Sequence, residues 1–150
     1  MNLEKVNLEK VNLEKVNLEK VNWLNLIVNK DARGNLIAIE ESLTIPFQIK
    51  RVFYMNNVSQ DRGGHAHIDT DQVIIAVHGT FKVKLSNDKN NKIFVFKNSE
   101  KGLFVPKLTF TELYDFSPNA VCLVLASTTY DIKKSLRNRE DYLFYLKTNK

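Results

Sequence analysis

Cysteine is nearly absent from this sequence. The single Cys122 excludes an internal disulfide and any CxxC metal or redox motif. It lies in the apolar run AVCLVLAS, so a buried, inert thiol is expected. Long hydrophobic runs are missing as well. None approaches the roughly 20 residues that cross a bilayer, and the Glu- and Lys-rich N-terminus has no apolar core of a secretion signal. These absences lead us to expect a reduced, cytoplasmic protein with no membrane partner. Nor does one sign of charge dominate: 22 Lys and Arg stand against 17 Asp and Glu, for a net charge of +5. The first 21 residues hold four Lys and four Glu, so the excess lies in the remainder. That balance suits an anionic ligand. The basic residues are scattered and follow no RNA-binding or zinc-finger spacing, so no nucleic-acid partner is expected.

The 150 residues suit one domain, and 43% hydrophobic content is enough for one core without disulfides. Residues 2–21 are four copies of NLEKV. On a helix, at about 100° per residue, successive leucines of a five-residue repeat turn by about 140°. On a strand they alternate between faces. Neither geometry gives Leu3, Leu8, Leu13 and Leu18 a common apolar face. Residues 1–21 therefore read as a low-complexity tail, and residues 22–150 as the domain. Deleting three copies leaves MNLEKVNWLNLIV, a natural-looking start.

From Trp23 onward the chain reads as short strands. WLNLIVN, NLIAIEE, PFQIKRVFYM, HAHI, QVIIAV, FKVKLS, IFVFK, GLFVP, FTELYDF and AVCLVLAS are separated by turns such as DARG and HGT and by the loops 56–64 and NDKNNK. Tyr142, Leu143 and Leu146 near the end suggest a short helix. Many short strands at regular spacing predict an all-β sandwich or small jelly-roll β-barrel, a fold that can enclose a ligand.

RGGHAHIDTDQ, residues 62–72, holds two of the three histidines. On a strand His65 and His67 share a face, and their ordinary pKa near neutrality suits a general base. Two ordinary strand histidines are the bland alternative; the pair on one face, after Arg62 and two glycines, favours a site. H-x-H-x4-Q-x6-G resembles the first motif of the cupins, in which a Glu usually stands where Gln72 does. Metal-binding cupins add a further histidine from a later strand, but GLFVPKLTFTEL has none, and His78 falls in a predicted turn. Two imidazoles and an amide fall short of the three good ligands of a catalytic metal site. No metal is expected.

The segments DARGNLIAIEES, IPFQIKRVFYM, RGGHAHIDTDQVIIAVHGTFKV, LYDFSPNAVCLVLASTTYD and REDYLFY occur in that order. Together they resemble the sugar 3,4-ketoisomerases of the WxcM-like cupin family, over roughly Leu26 to Tyr145. The resemblance implies a homodimeric jelly roll with no cofactor. It implies conversion of dTDP-4-keto-6-deoxyglucose to a dTDP-3-keto-6-deoxyhexose, which an aminotransferase then uses on the way to surface-glycan amino sugars.

It also implies roles. His65 and His67 match the family's histidine pair, as carriers of the C3 and C4 protons. Tyr54 matches a family tyrosine that donates to the enediolate oxygen, against the alternative of an aromatic core residue. Arg62 suits a diphosphate, because guanidinium groups bind phosphates in a bidentate way. Arg51, on a strand, needs a pocket contact or an ion pair with Glu40 or Glu41 to offset its burial. Gln72 is expected to point inward and to bond a sugar hydroxyl or an imidazole. Arg33 and Thr111 stand at positions that vary among relatives and bear on C4 stereochemistry. Arg33 tilts the expectation towards the galacto product, against plain readings as a turn arginine and a surface threonine. A non-catalytic sugar-nucleotide sensor and a 3,5-epimerase-like cupin are the alternatives; a metal dioxygenase ranks last.

Overall fold

The computed structural model describes residues 18–149. Residues 1–17, most of the expected tail, and Lys150 lie outside the described residues. The strands are β1 (Asn22–Asn25), β2 (Ile27–Asp31), β3 (Gly34–Ala38), β4 (Arg51–Met55), β5 (Arg62–His67), β6 (Gln72–His78), β7 (Phe81–Ser86), β8 (Asn91–Phe96), β9 (Lys101–Val105), β10 (Phe110–Tyr114), β11 (Val121–Ala126) and β12 (Ser135–Leu136). The helix Arg139–Thr148 follows. Two antiparallel five-stranded sheets form, ordered β1-β9-β6-β11-β4 and β12-β5-β10-β7-β8, and β2 pairs with β3 as a hairpin. The fold is all-β, as expected, with the predicted short helix. Among the described residues the two sheets share no strand, so the jelly roll is a sandwich that backbone hydrogen bonds do not close.

The sequence pattern explains the layers. In β7, FKVKLS buries Phe81, Val83 and Leu85 and turns Lys82 and Lys84 outward, the period of two of a half-buried strand. Residues 73–76 of β6 are apolar because both faces of the strand are covered there. Ile74 and Ala76 join the core between the sheets. Val73 and Ile75 pack under Leu26, Ile45, Ile37, Phe47 and Ile49, supplied by the hairpin and by the segment before β4. Cys122 is fully buried in the central core, and burial pushes its thiol up to about 12.

Rings close one end of the sandwich. Phe81 stacks on Phe96 and Phe116 with centroids 4.7 and 5.1 Å apart, and Trp23 meets Phe96 at 4.9 Å. Leu18 enters this cluster at 6% exposure, with Val21 packed against it. The packed domain thus begins ahead of Asn22, the boundary expected from composition. The last repeat copy supplies an apolar plug that a search for a helical or strand stripe does not reveal, because a turn rather than a regular element places it.

Other boundaries also moved. Residues 46–50 are irregular, and the strand starts only at Arg51; Pro46 carries no N–H for a ladder. β5 starts at Arg62 instead of His65, and β12, two residues long, was not anticipated. The helix is capped by Asn138, whose side chain accepts from the Asp141 N–H. Tyr142 is its buried anchor. The phenol donates to the Leu108 carbonyl at 2.7 Å, and the ring lies over Phe110. With Leu146 and Leu136 it covers Ala66, the residue between the two histidines. The helix is therefore packed on the back of the strand that carries them.

Leu18→Ala should lower the unfolding free energy by about 2–5 kcal/mol, the cost of removing a buried leucine. Urea denaturation read by tryptophan fluorescence checks this.

Candidate active site

β4 and β5, joined by the loop 56–61, bring an outer strand of one sheet to face the other sheet, and a cavity of about 220 Å³ opens between them. Phe53, Tyr54, Met55, Gln72, Ile74 and Val124 line it from the first sheet; Arg62, Gly63, His65, His67, Thr111 and Leu113 line it from the second. The volume is below that usual for whole drug-sized ligands. A wider, open cavity of about 420 Å³ adjoins it, formed by residues 54–62 and sharing Tyr54, Met55 and Arg62.

Register fixes which side chains face in. β5 pairs with β10 so that His65 lies opposite Thr111, and with β12 so that His67 lies opposite Ser135. Between these two pairs Ala66 points to the helix. The imidazoles share the inner face, their centroids 5.2 Å apart and their planes at 81°. Thr111 is buried at 8% exposure, not a surface threonine, and donates to the Thr109 carbonyl at 3.2 Å. On the first sheet Arg51, Ala126, Gln72 and Val105 form one row of direct neighbours. Gln72 is thus buried on the inner face, as expected.

Arg51 stands at the end of that row. Its guanidinium lies over the rings of Phe53 and Tyr130, at 5.1 and 5.2 Å from their centroids. It makes no ion pair with Glu40 or Glu41, and its Nε is buried with no hydrogen-bond partner.

Two expected residues differ from the rest. Tyr54 sits between the inward Phe53 and Met55, opposite Leu123. Strand alternation leaves its ring 66% exposed, and it lines the place where the small cavity meets the open groove. Arg33 lies in the β2–β3 turn, where its guanidinium is bound to Asp31 at 2.7 Å. It lines no part of the cavity.

Sequence reading missed Arg137. It is exposed and follows β12, on a course that runs from opposite His67 past Ala66 towards His65, and its charge acts on both imidazoles. No motif marks it; only the pairing of a two-residue strand does.

The electrostatics keep both imidazoles neutral. Burial chiefly lowers His65, with the charges of Arg137 and Arg62 acting the same way and a hydrogen bond to the Gly63 backbone opposing them. His67 is pushed down to about 4, first by burial, then by His65 and Arg51, with Arg137 adding and Asp69 opposing. A neutral pair of this kind can accept a proton at one nitrogen and return it at another. Among the described residues no group of three or more His, Cys, Asp or Glu is placed to hold a metal ion, and no helix is long and apolar enough to cross a membrane.

The fold and the paired inward histidines define a cupin-type small-molecule site. Residues 19–147 match the family model described as FdtA: WxcM-like, C-terminal, and the chain belongs to that family. It is 36% identical over 118 residues to the TDP-4-oxo-6-deoxy-α-D-glucose-3,4-oxoisomerase of Aneurinibacillus thermoaerophilus, a match that covers 77% of this chain and 85% of that one. It superposes with a TM-score of 0.84 on QdtA, a sugar 3,4-ketoisomerase from Thermoanaerobacterium thermosaccharolyticum in complex with TDP, at 34% identity over 88% of this chain and 98% of that one. It superposes at 0.80 on the WlaRB TDP-quinovose 3,4-ketoisomerase of Campylobacter jejuni, at 36% identity over 85% and 99% of the two chains.

The depressed His67 sets a pH dependence. Below its ordinary pKa of 6.5 the unfolded chain binds a proton there that the folded chain refuses until about 4. The group therefore favours folding fully above about pH 6.5, and the folded state loses on the order of 3 kcal/mol as pH falls towards 4. His67→Asn should lose less stability between about pH 7.5 and pH 4.5 than the wild type, as read by urea unfolding at both values.

Proposed function

We propose that this chain is a dTDP-4-keto-6-deoxyglucose 3,4-ketoisomerase. The observation that carries the reading is the pair of neutral imidazoles on one wall of a small cavity, in a chain of the WxcM-like family whose similar members carry that activity. The cavity suits a sugar ring, and the open groove at Arg62 takes the diphosphate and nucleoside. The 4-keto group acidifies the C3 proton. One imidazole removes it, an enediolate spans C3 and C4, and a proton delivered to C4 leaves the carbonyl at C3. Gln72 and Thr111 bond sugar oxygens or steady the rings. Tyr54, which lines the junction of cavity and groove with an exposed ring, donates to the enediolate oxygen or shuttles a proton in this reading. Arg33, in the β2–β3 turn and paired with Asp31, lies outside the lining of this cavity, so the C4 configuration is read from the product. A homodimer working in the cytoplasm, with an aminotransferase next in line for the 3-keto sugar, completes the proposal.

The test is an NMR time course with dTDP-4-keto-6-deoxyglucose in D2O. A 3-keto product with deuterium at C4, formed equally with and without EDTA, is expected, and the C4 coupling constants read its configuration. His65→Asn and His67→Asn should each lower turnover about 100-fold or more. Saturable binding without turnover would favour a sensor. Exchange at C3 and C5 would favour an epimerase.

A further inference from the structure

We infer that Ser135 is a positioning residue for His67: its hydroxyl oxygen accepts the N–H on the far side of that imidazole while the near side carries the substrate proton. The inference rests on the ketoisomerase reading above. The pairing of β12 with β5 puts Ser135 directly opposite His67, and directly opposed residues of an antiparallel pair share a face. His67 lines the cavity, so Ser135 stands on the cavity side of the same sheet. The backbone shows how close the two side chains are. The Ile68 N–H donates to the Lys134 carbonyl at 2.8 Å, across the neighbouring pair. The backbone groups of His67 and Ser135 instead turn away from each other. The Ser135 N–H donates to the Ile132 carbonyl, and the His67 carbonyl accepts from the Leu108 N–H at 2.7 Å. This is the non-hydrogen-bonded kind of pair, whose Cα atoms stand about 4.5 Å apart and whose side chains lie closer together than in the other kind.

The Oγ of Ser135 is buried and has no hydrogen-bond partner. An unpaired buried hydroxyl costs the fold stability, and an alanine here would avoid that cost while keeping the backbone of β12. The hydroxyl therefore serves another state of the site, and the reaction supplies one. When a nitrogen of His67 takes the proton from the sugar carbon, the ring becomes an imidazolium with an N–H on both sides. The electron pair of the broken C–H bond stays with the sugar as the C3–C4 double bond, and the carbonyl electrons move to the oxygen. One N–H of the ring faces the sugar. The other needs an acceptor, in a place where burial and neighbouring charge disfavour a cation. The lone pairs of Ser135 Oγ lie beside it. When the proton passes back to carbon, the ring is neutral again and Ser135 has gained and lost no atom. Ser135 does not line the cavity, which suits a group that acts on the imidazole and not on the sugar.

In S135A, kcat and deuterium uptake from D2O should both fall about 10-fold or more, the scale of one hydrogen bond to a charged group. KM for dTDP-4-keto-6-deoxyglucose should stay within about twofold, because the bond exists only while the ring is charged. The melting temperature should be unchanged or higher, because an unpaired buried group has been removed. S135T and S135V share one branched shape and differ in the hydroxyl, so together they separate hydrogen bonding from packing. S135T should recover most of the rate, and S135V should be as slow as S135A. Wild-type turnover in S135A, or equal rates in S135T and S135V, overturns this inference and leaves the ketoisomerase reading intact. A raised KM with kcat preserved also overturns it, by moving Ser135 to the substrate. A wild type that binds the nucleotide sugar but neither exchanges nor turns over overturns both.

Discussion

At Gly63 a side-chain Cβ would stand 2.6 Å from the Thr111 carbonyl oxygen, and the backbone has φ of +85°. Only glycine enters the strand this way. The β5–β10 register slips beside this point, between Thr111 and Glu112, as a bulge does. The composition of the cavity wall depends on that slip. A strand side chain faces one side or the other with period two, so a one-residue error would turn His65 and His67 to the helix and Ala66 to the cavity. The helix guards the same choice from behind: Tyr142 and Leu146 leave room over β5 for the methyl of Ala66, not for an imidazole.

Once the histidines face in, burial does the next part of the chemistry. Two imidazoles 5.2 Å apart cannot both carry charge cheaply, and nearby guanidinium groups make protonation less favourable still. The free site therefore waits with both rings neutral, the form that can take a proton from carbon. The same positive surroundings that weaken the imidazoles as bases favour the anion that the transfer creates. The base strength lost is offset by the stabilisation of the product of the step, which is how differential stabilisation works in a partly dry site.

The sequence shows some of this and hides some. Alternation in FKVKLS and the H-x-H spacing are local, so the strands, the shared face of the histidines and the inward Gln72 were readable from residues alone. The family is carried by motifs spread along the chain, and it was readable too. Tyr54 lines the mouth of the cavity with an exposed ring, a placement no motif match gives, because it says nothing about which face a strand residue takes. Arg33 pairs with Asp31 two residues away on the surface, a contact set by the turn. Arg137 and the plug residue Leu18 carry no periodic signal of their own: one follows a two-residue strand and the other packs across the fold. Leu18 belongs to a repeat whose copies are identical, and only its distance from β1 sets it apart.

The orphaned atoms couple the site to the stability of the fold. A buried donor without a partner costs about 1–3 kcal/mol, and among the described residues two such groups are left, Nε of Arg51, at the end of the row that holds Gln72, and Oγ of Ser135, opposite His67. Nothing in the core requires them there. Phe53 and Tyr130 hold Arg51 by their ring faces rather than by a carboxylate, so its charge is kept in place without being neutralised. An acidic partner would stabilise the fold and quench the charge. A stacked guanidinium with no acidic partner is what a fold retains when the missing partner is a ligand oxygen, so a group left unsatisfied in the free chain is one that binding completes.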